Sequence, residues 1–223
     1  MSKVVKLIEN FVSWQGEGPD SGRAMIILRF KTCNLKCPWC DTSVKMRISA
    51  EAPYELSEIQ KTIYESKAGL LITGGEPTVK KHFDETVMLL NELDFPVANV
   101  ESNGHRLEEL VKVVNPNSRI KFMYSPKIFT LTDLEAAKDL TEKFLPITNV
   151  YFKLVYEDNP YVNDYIDFLH EHYETLSWQH RVWVMPEGVT RADLLRNAEK
   201  VFDVCEKYKF NFSSRGHIIF GFV

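Results

Sequence analysis

No stretch of the chain approaches the run of about eighteen apolar residues that a membrane-spanning helix needs, so no helical span is expected. The opening MSKVVKLIENFVSW has neither an apolar leader segment nor a small-residue cleavage site, so no secretory signal is expected either. Blocks of like charge are missing, and a formal net charge of −4 gives no overall attraction to nucleic acid or acidic lipid. Direct nucleic-acid binding and membrane association are therefore not expected. Repeats, low-complexity tracts and Pro/Gly/Ser-rich linkers are also lacking, so residues 1–223 are read as one domain. Cysteine is scarce: there are four, and three fall within eight positions, in CNLKCPWCDT (33–42). Such clustering argues against a disulfide framework and for a shared metal in a reducing, cytoplasmic compartment.

What is present suits a globular core, since 44% of residues are apolar. Short runs rich in β-branched and aromatic residues predict strands at 24–30, 69–74, 96–102, 120–125, 150–156 and 181–186. Helical stripes lie between them: Leu56, Ile59 and Ile63; Phe83, Val87 and Leu90; and Leu194, Ala198, Val201, Phe202 and Cys205. Thr190, with Asp193 three residues on, predicts the N-cap of the last helix. Six alternating units predict an α/β fold with a parallel sheet, a partial (βα)6-type barrel, complete in its six units or abridged. Its site should lie at the strand C-terminal ends. The apolar tail RGHIIFGFV predicts a final strand or a dimer contact, with His217 structural.

The C-x3-C-x2-C spacing has to be weighed against zinc. A structural zinc site wants four protein ligands, usually as two separated pairs, and no second pair exists. Cys205 falls on the apolar stripe of a helix, where a cysteine serves as a small buried hydrophobe. A [4Fe–4S] cluster accounts for the pattern better. Closely spaced thiolates can each reach a different iron, and three ligands leave one iron open. Arg29, Lys31 and Lys36 nearby would offset cluster charge.

C-x3-C-x2-C together with ITGGEP (72–77) resembles the radical S-adenosylmethionine (SAM) enzymes. FVSWQGEGPDSGRAMIILRFKTCNLKCPWCDT (11–42), then ESNG, SPK and MPEG in order, resembles the 7-carboxy-7-deazaguanine synthase family within them. Thr32 stands where that family usually has glycine, a change to the local turn that touches no ligand. The resemblance implies that Cys33, Cys37 and Cys40 hold the cluster while SAM chelates the open iron. It implies SAM contacts at Trp39, Cys40, Asp41, Gly75, Glu101, Ser102, Ser125, Pro126 and Lys127, and again at Val184, Met185, Pro186 and Glu187. Mg2+ would bind Thr42. The pterin substrate would meet Trp14, Gln15, Gly16, Glu17, Arg29 and Thr73, together with the terminal carboxylate of Val223. The implied reaction turns 6-carboxy-5,6,7,8-tetrahydropterin into 7-carboxy-7-deazaguanine with loss of ammonia. A homodimer and an electron donor such as flavodoxin or ferredoxin are implied as partners.

Two other readings use the same cysteines. One is a radical SAM activating enzyme for a glycyl-radical partner; the other is a non-catalytic, metal-stabilised module. QGEG, Arg29 and C-D-T weigh against the first; the second predicts a colourless zinc protein or a cluster that ignores SAM.

Overall fold

The computed structural model describes residues 3–114, 116–176 and 179–221. Strands β1 (Val4–Leu7), β2 (Glu9–Trp14) and β3 (Ala24–Phe30) open the chain, and α1 (Ser43–Ile48), β4 (Ala52–Glu55) and α2 (Leu56–Ser66) follow. Alternation then sets in: β5 (Gly69–Gly74), α3 (Phe83–Glu92), β6 (Ala98–Ser102), α4 (Leu107–Val113), β7 (Ile120–Tyr124) and α5 (Leu131–Phe144). The chain continues through β8 (Val150–Tyr156), α6 (Pro160–Leu176), β9 (Val182–Pro186), α7 (Arg191–Tyr208), β10 (Asn211–Phe212) and α8 (Gly216–Phe220).

All six expected strands are present, and three of them, β3, β5 and β8, have the expected bounds. They lie in one eight-stranded sheet ordered β10-β9-β8-β7-β6-β5-β3-β2, parallel from β10 to β3 with β2 antiparallel on the edge. The parallel strands follow chain order, as in a partial barrel. β1 and β4 pair separately as an antiparallel ribbon, which hydrophobic periodicity did not reveal.

Alternation along β3 separates two faces. Ile26, Leu28 and Phe30 join Leu70 and Ile72 in the large core under the helices. Met25 and Ile27 face the other way, into a small cluster with Leu71 and Val97. Two residues further along each strand, that inner face turns polar at Arg29 and Thr73, which are register partners. The site therefore begins where the inner apolar plug ends.

Thr130 and Asp133 close a reciprocal capping box on α5. Thr190 caps α7 as expected, accepting from the Asp193 amide. Leu194, Val201 and Cys205 form the buried stripe of α7, but Phe202 is 59% exposed. Of the two readings of the tail, a final strand or a dimer contact, the strand is replaced by a short helix, α8, whose Gly216 donates to the Gly16 carbonyl at 3.0 Å.

Candidate active site

The loop after β3 carries the cysteines and is stitched to β5 at its root. Gly75 donates to the Phe30 carbonyl at 2.9 Å, and Glu76 donates to the Thr32 carbonyl at 2.8 Å. A Cβ on Gly75 would lie 2.2 Å from the Thr32 oxygen, so glycine is required for this approach. Glu76 is buried and accepts from Thr78, Ser102 and the Asn103 amide, tying the end of β5 to that of β6.

His82, fully buried and stacked 4.5 Å from Phe30, accepts the Thr32 amide at 3.2 Å on Nε2. The proton then sits on Nδ1, 3.5 Å from the Glu85 carboxylate. Burial holds His82 below the ordinary imidazole value of 6.5. His82→Phe orphans the Thr32 N–H and is expected to cost about 1–3 kcal/mol. A depressed histidine stabilises the fold above its unfolded value and loses that contribution as pH falls through the folded one. The gap between wild type and His82→Phe in urea unfolding should therefore be widest above pH 6.5 and shrink on acidification.

Two cavities meet beside the loop. The larger, about 630 Å³, is lined by Cys33, Cys37 and Cys40 with Trp39, Asp41, Gly75, Glu101, Ser102, Ser125 and Lys127. The smaller, about 200 Å³, is lined by Trp14, Gln15, Gly16, Glu17, Arg29 and Thr73. Trp39, Asp41, Thr42, Thr73, Gly74 and Glu101 border both, so they form the common wall. The expected SAM-side and pterin-side residues thus largely separate into adjoining spaces.

Other placements differ. Met185 lines the smaller cavity rather than the larger. Val184 lies in the core, and Pro186 is buried at the end of β9. Glu187 is half-buried, and its carbonyl accepts from Asn197 at 2.8 Å. Pro126 borders a separate small pocket beside Asn103 and Leu140. Val223 lies outside the described residues.

The smaller cavity has a charged floor. Lys153 is buried and paired with Glu17 at 2.5 Å and with Glu101. Arg215, also buried, pairs with Glu17 at 3.0 Å and with Asp41. Burial alone would lift Glu17, but Lys153 and Arg215 hold it well below the usual carboxylate range. Burial dominates at Glu101 and pushes it up despite Lys153. Lys153 itself would be lowered by burial, yet Glu101 and Glu17 hold it above the ordinary lysine value.

Gln15 is fixed from behind. Its amide nitrogen donates to Asn99 at 3.0 Å, and its oxygen accepts the Glu17 amide at 3.2 Å. Asn99 in turn donates to Asp20 at 2.8 Å, and Asp20 is paired with Lys121. Arg29 gives Nε to Glu9 at 2.5 Å, and Glu9 also takes Lys45 at 2.7 Å.

Sequence reasoning missed Lys153, Arg215, Glu76 and His82. Lys153 had a signal, a lone charge inside the apolar run VYFKLVY. Glu76 lay inside the quoted GGEP. Nothing local marked Arg215 or His82, whose partners come from distant segments.

The thiols fit a cluster. Cys33, Cys37 and Cys40 all line the larger cavity, and a cluster takes each thiolate at a different iron. Leu35 N–H points to Cys33 Sγ at 3.4 Å, a donor suited to a thiolate.

A parallel partial barrel with three thiols in the loop after its first parallel strand defines a radical SAM enzyme, and the Radical SAM superfamily model matches residues 27–124. Among relatives, the 7-carboxy-7-deazaguanine synthase of Thermoplasma acidophilum is 31% identical over 180 residues, covering 77% of this chain and 79% of that protein. The synthase of Hyperthermus butylicus is 27% identical over 233 residues, covering 98% and 94%. The crystal structure of QueE from Escherichia coli shares the fold with a TM-score of 0.56 at 18% identity, covering 94% of this chain and 92% of that one. Streptococcus suis SuiB bound to SAM gives 0.56 at 18% identity, covering 84% and 46%. The chain belongs to the 7-carboxy-7-deazaguanine synthase family, radical SAM lyases of 7-deazapurine biosynthesis. Membership of the superfamily implies a [4Fe–4S] cluster and SAM as cofactors.

Proposed function

We propose that residues 1–223 act as one radical SAM domain that converts 6-carboxy-5,6,7,8-tetrahydropterin to 7-carboxy-7-deazaguanine with release of ammonia. The observation that carries this reading is the shared wall: the thiol-lined cavity opens directly onto a second one lined by QGEG, Arg29 and Thr73. Cys33, Cys37 and Cys40 would hold the cluster, with SAM beside them against Trp39, Gly75, Glu101, Ser102, Ser125 and Lys127. When bound, cluster and SAM supply a primary carbon radical able to take hydrogen from an unactivated C–H bond.

The remaining work falls to the chain. Arg29 spends only Nε on Glu9, which leaves its terminal nitrogens for the substrate carboxylate in a bidentate pair. Glu17, held ionised, accepts from pterin N–H groups, while Gln15 and Gly16 offer the adjoining edge. Trp14 and Trp39 flank the cavity and exclude water from the ring.

Mg2+ at Thr42 is part of the same reading. Thr42 occupies the N-cap position of α1 yet makes no capping bond; its hydroxyl lies 3.5 Å from Cys40 Sγ. That oxygen remains available to a hard cation that uses few protein ligands and keeps several waters. The reading extends to a cytoplasmic homodimer reduced by a flavodoxin or ferredoxin.

The test is anaerobic incubation of reduced, cluster-loaded protein with SAM, Mg2+ and the carboxypterin. Ammonia and a deazaguanine chromophore should appear together. SAM cleavage with neither product would favour the glycyl-radical activase. Thr42→Ala is expected to raise the Mg2+ concentration for half-maximal rate about tenfold, equivalent to ~1.4 kcal/mol, with iron content unchanged.

A further inference from the structure

Arg215 lies outside the QGEG, C-x3-C-x2-C and GGEP stretches, yet its side chain reaches Glu17, Asp41 and Gly188. It stands between β10 and α8 with φ +55°, in the left-handed region that residues bearing a Cβ rarely adopt. Such conformations persist only where the surroundings over-determine them, and they gather at functional sites. The surroundings here are three separate segments. Nε of the guanidinium donates to Glu17 at 3.0 Å, one terminal nitrogen donates to Asp41, and the other donates to the Gly188 carbonyl.

The backbone that follows is docked on the same loop. Gly216 donates to the Gly16 carbonyl, and the His217 ring fills the space that a Cβ on Gly16 would need. Arg215 and His217 both line the smaller cavity. Asp41 lies between Cys40 and Thr42 in the chain, so one planar group connects the turn that ends the cysteine loop with the QGEG loop.

We propose that Arg215 is a positioning residue for pterin binding: it locks Asp41 and Glu17 into one geometry and holds α8 against the substrate cavity. This rests on the function proposed above. A guanidinium can satisfy three acceptors in a plane, whereas an ammonium is a point charge without that fork. Retaining the charge alone is therefore not enough.

Two variants separate backbone from side chain. Arg215→Asn keeps a residue that tolerates the left-handed region but removes the guanidinium; Arg215→Lys keeps the charge and removes the fork. Both should retain wild-type iron and sulfide and the SAM-induced change in the reduced-cluster paramagnetic resonance spectrum. Both should raise KM for the carboxypterin about tenfold or more, with a smaller fall in kcat. Amide hydrogen exchange over 214–221 in substrate-free holoenzyme should be faster than in wild type. Adding Glu17→Gln to Arg215→Asn should raise KM by less than the product of the single effects.

Unchanged KM together with unchanged exchange overturns the proposal, as does loss of iron from both variants, which would make Arg215 a support of the cluster loop itself. Where Arg215→Asn does not fold, Arg215→Lys carries the same comparison. If wild type forms no deazaguanine, the proposed function fails by itself, and the exchange measurement still decides whether Arg215 holds α8.

Discussion

Cys33→Ala, Cys37→Ala and Cys40→Ala proteins, purified without oxygen, are each expected to retain no [4Fe–4S] cluster, whereas Cys205→Ala should carry the wild-type iron. The three loop thiols share a wall of the larger cavity, and in the proposed reading each would supply a different iron with its protein ligand. Removing one leaves two irons open to solvent and the cube without a base. Cys205 faces the core from α7 and is 6% exposed, and burial pushes its thiol up to about 12. Its thiolate is accordingly scarce at neutral pH, and it borders neither cavity. Iron and sulfide analysis, with paramagnetic resonance of the reduced protein with and without SAM, reads the outcome. A bleached Cys205→Ala protein would mean that the chain ligates all four irons, and the open coordination site would be gone.

Lys153→Met should be the most damaging change outside that loop. It leaves the buried carboxylates of Glu17 and Glu101 facing each other without the cation between them. Breaking a buried pair from one side typically costs about 3–5 kcal/mol, a large share of the stability of a domain this size. Arg215 still compensates Glu17, so the uncompensated charge resides mainly on Glu101. A second change, Glu101→Gln, should therefore recover part of the stability but none of the turnover, because the common wall of the two cavities has lost its shape and charge. Urea unfolding of the single and double variants measures the first effect, and product formation measures the second. Equal unfolding midpoints for wild type and Lys153→Met would show the triad to be energetically neutral.

The parallel strands were legible because both of their faces are covered. β3, β5 and β8 read as short apolar runs between breakers, and their bounds came out as expected. The β1–β4 ribbon was not legible, since four-residue strands with one exposed face carry little periodic signal. The strand reading of the tail failed for a related reason: HIIF is as apolar as a strand, yet it forms a short helix docked on Gly16. Within the site, the expected residues that line the two cavities are mostly those grouped in motifs: the cysteines, Gln15 to Glu17, Thr73 and Gly75. Arg215 escaped because its role depends on Glu17 and Asp41, more than a hundred residues away, a separation that no local pattern encodes. Lys153 carried a local signal, a lone charge inside an apolar run, but its partners Glu17 and Glu101 lie in other segments. Val184 is the converse case, a residue inside a quoted motif whose side chain lies in the core.

The stitching at the root of the cysteine loop bears on what a thiol substitution should spare. Backbone bonds fasten Phe30 to Gly75 and Thr32 to Glu76, while residues 34–38 are mostly exposed. Because that seam is made by main-chain groups alone, no thiol takes part in it, and its strength is independent of which side chains stand at 33, 37 and 40.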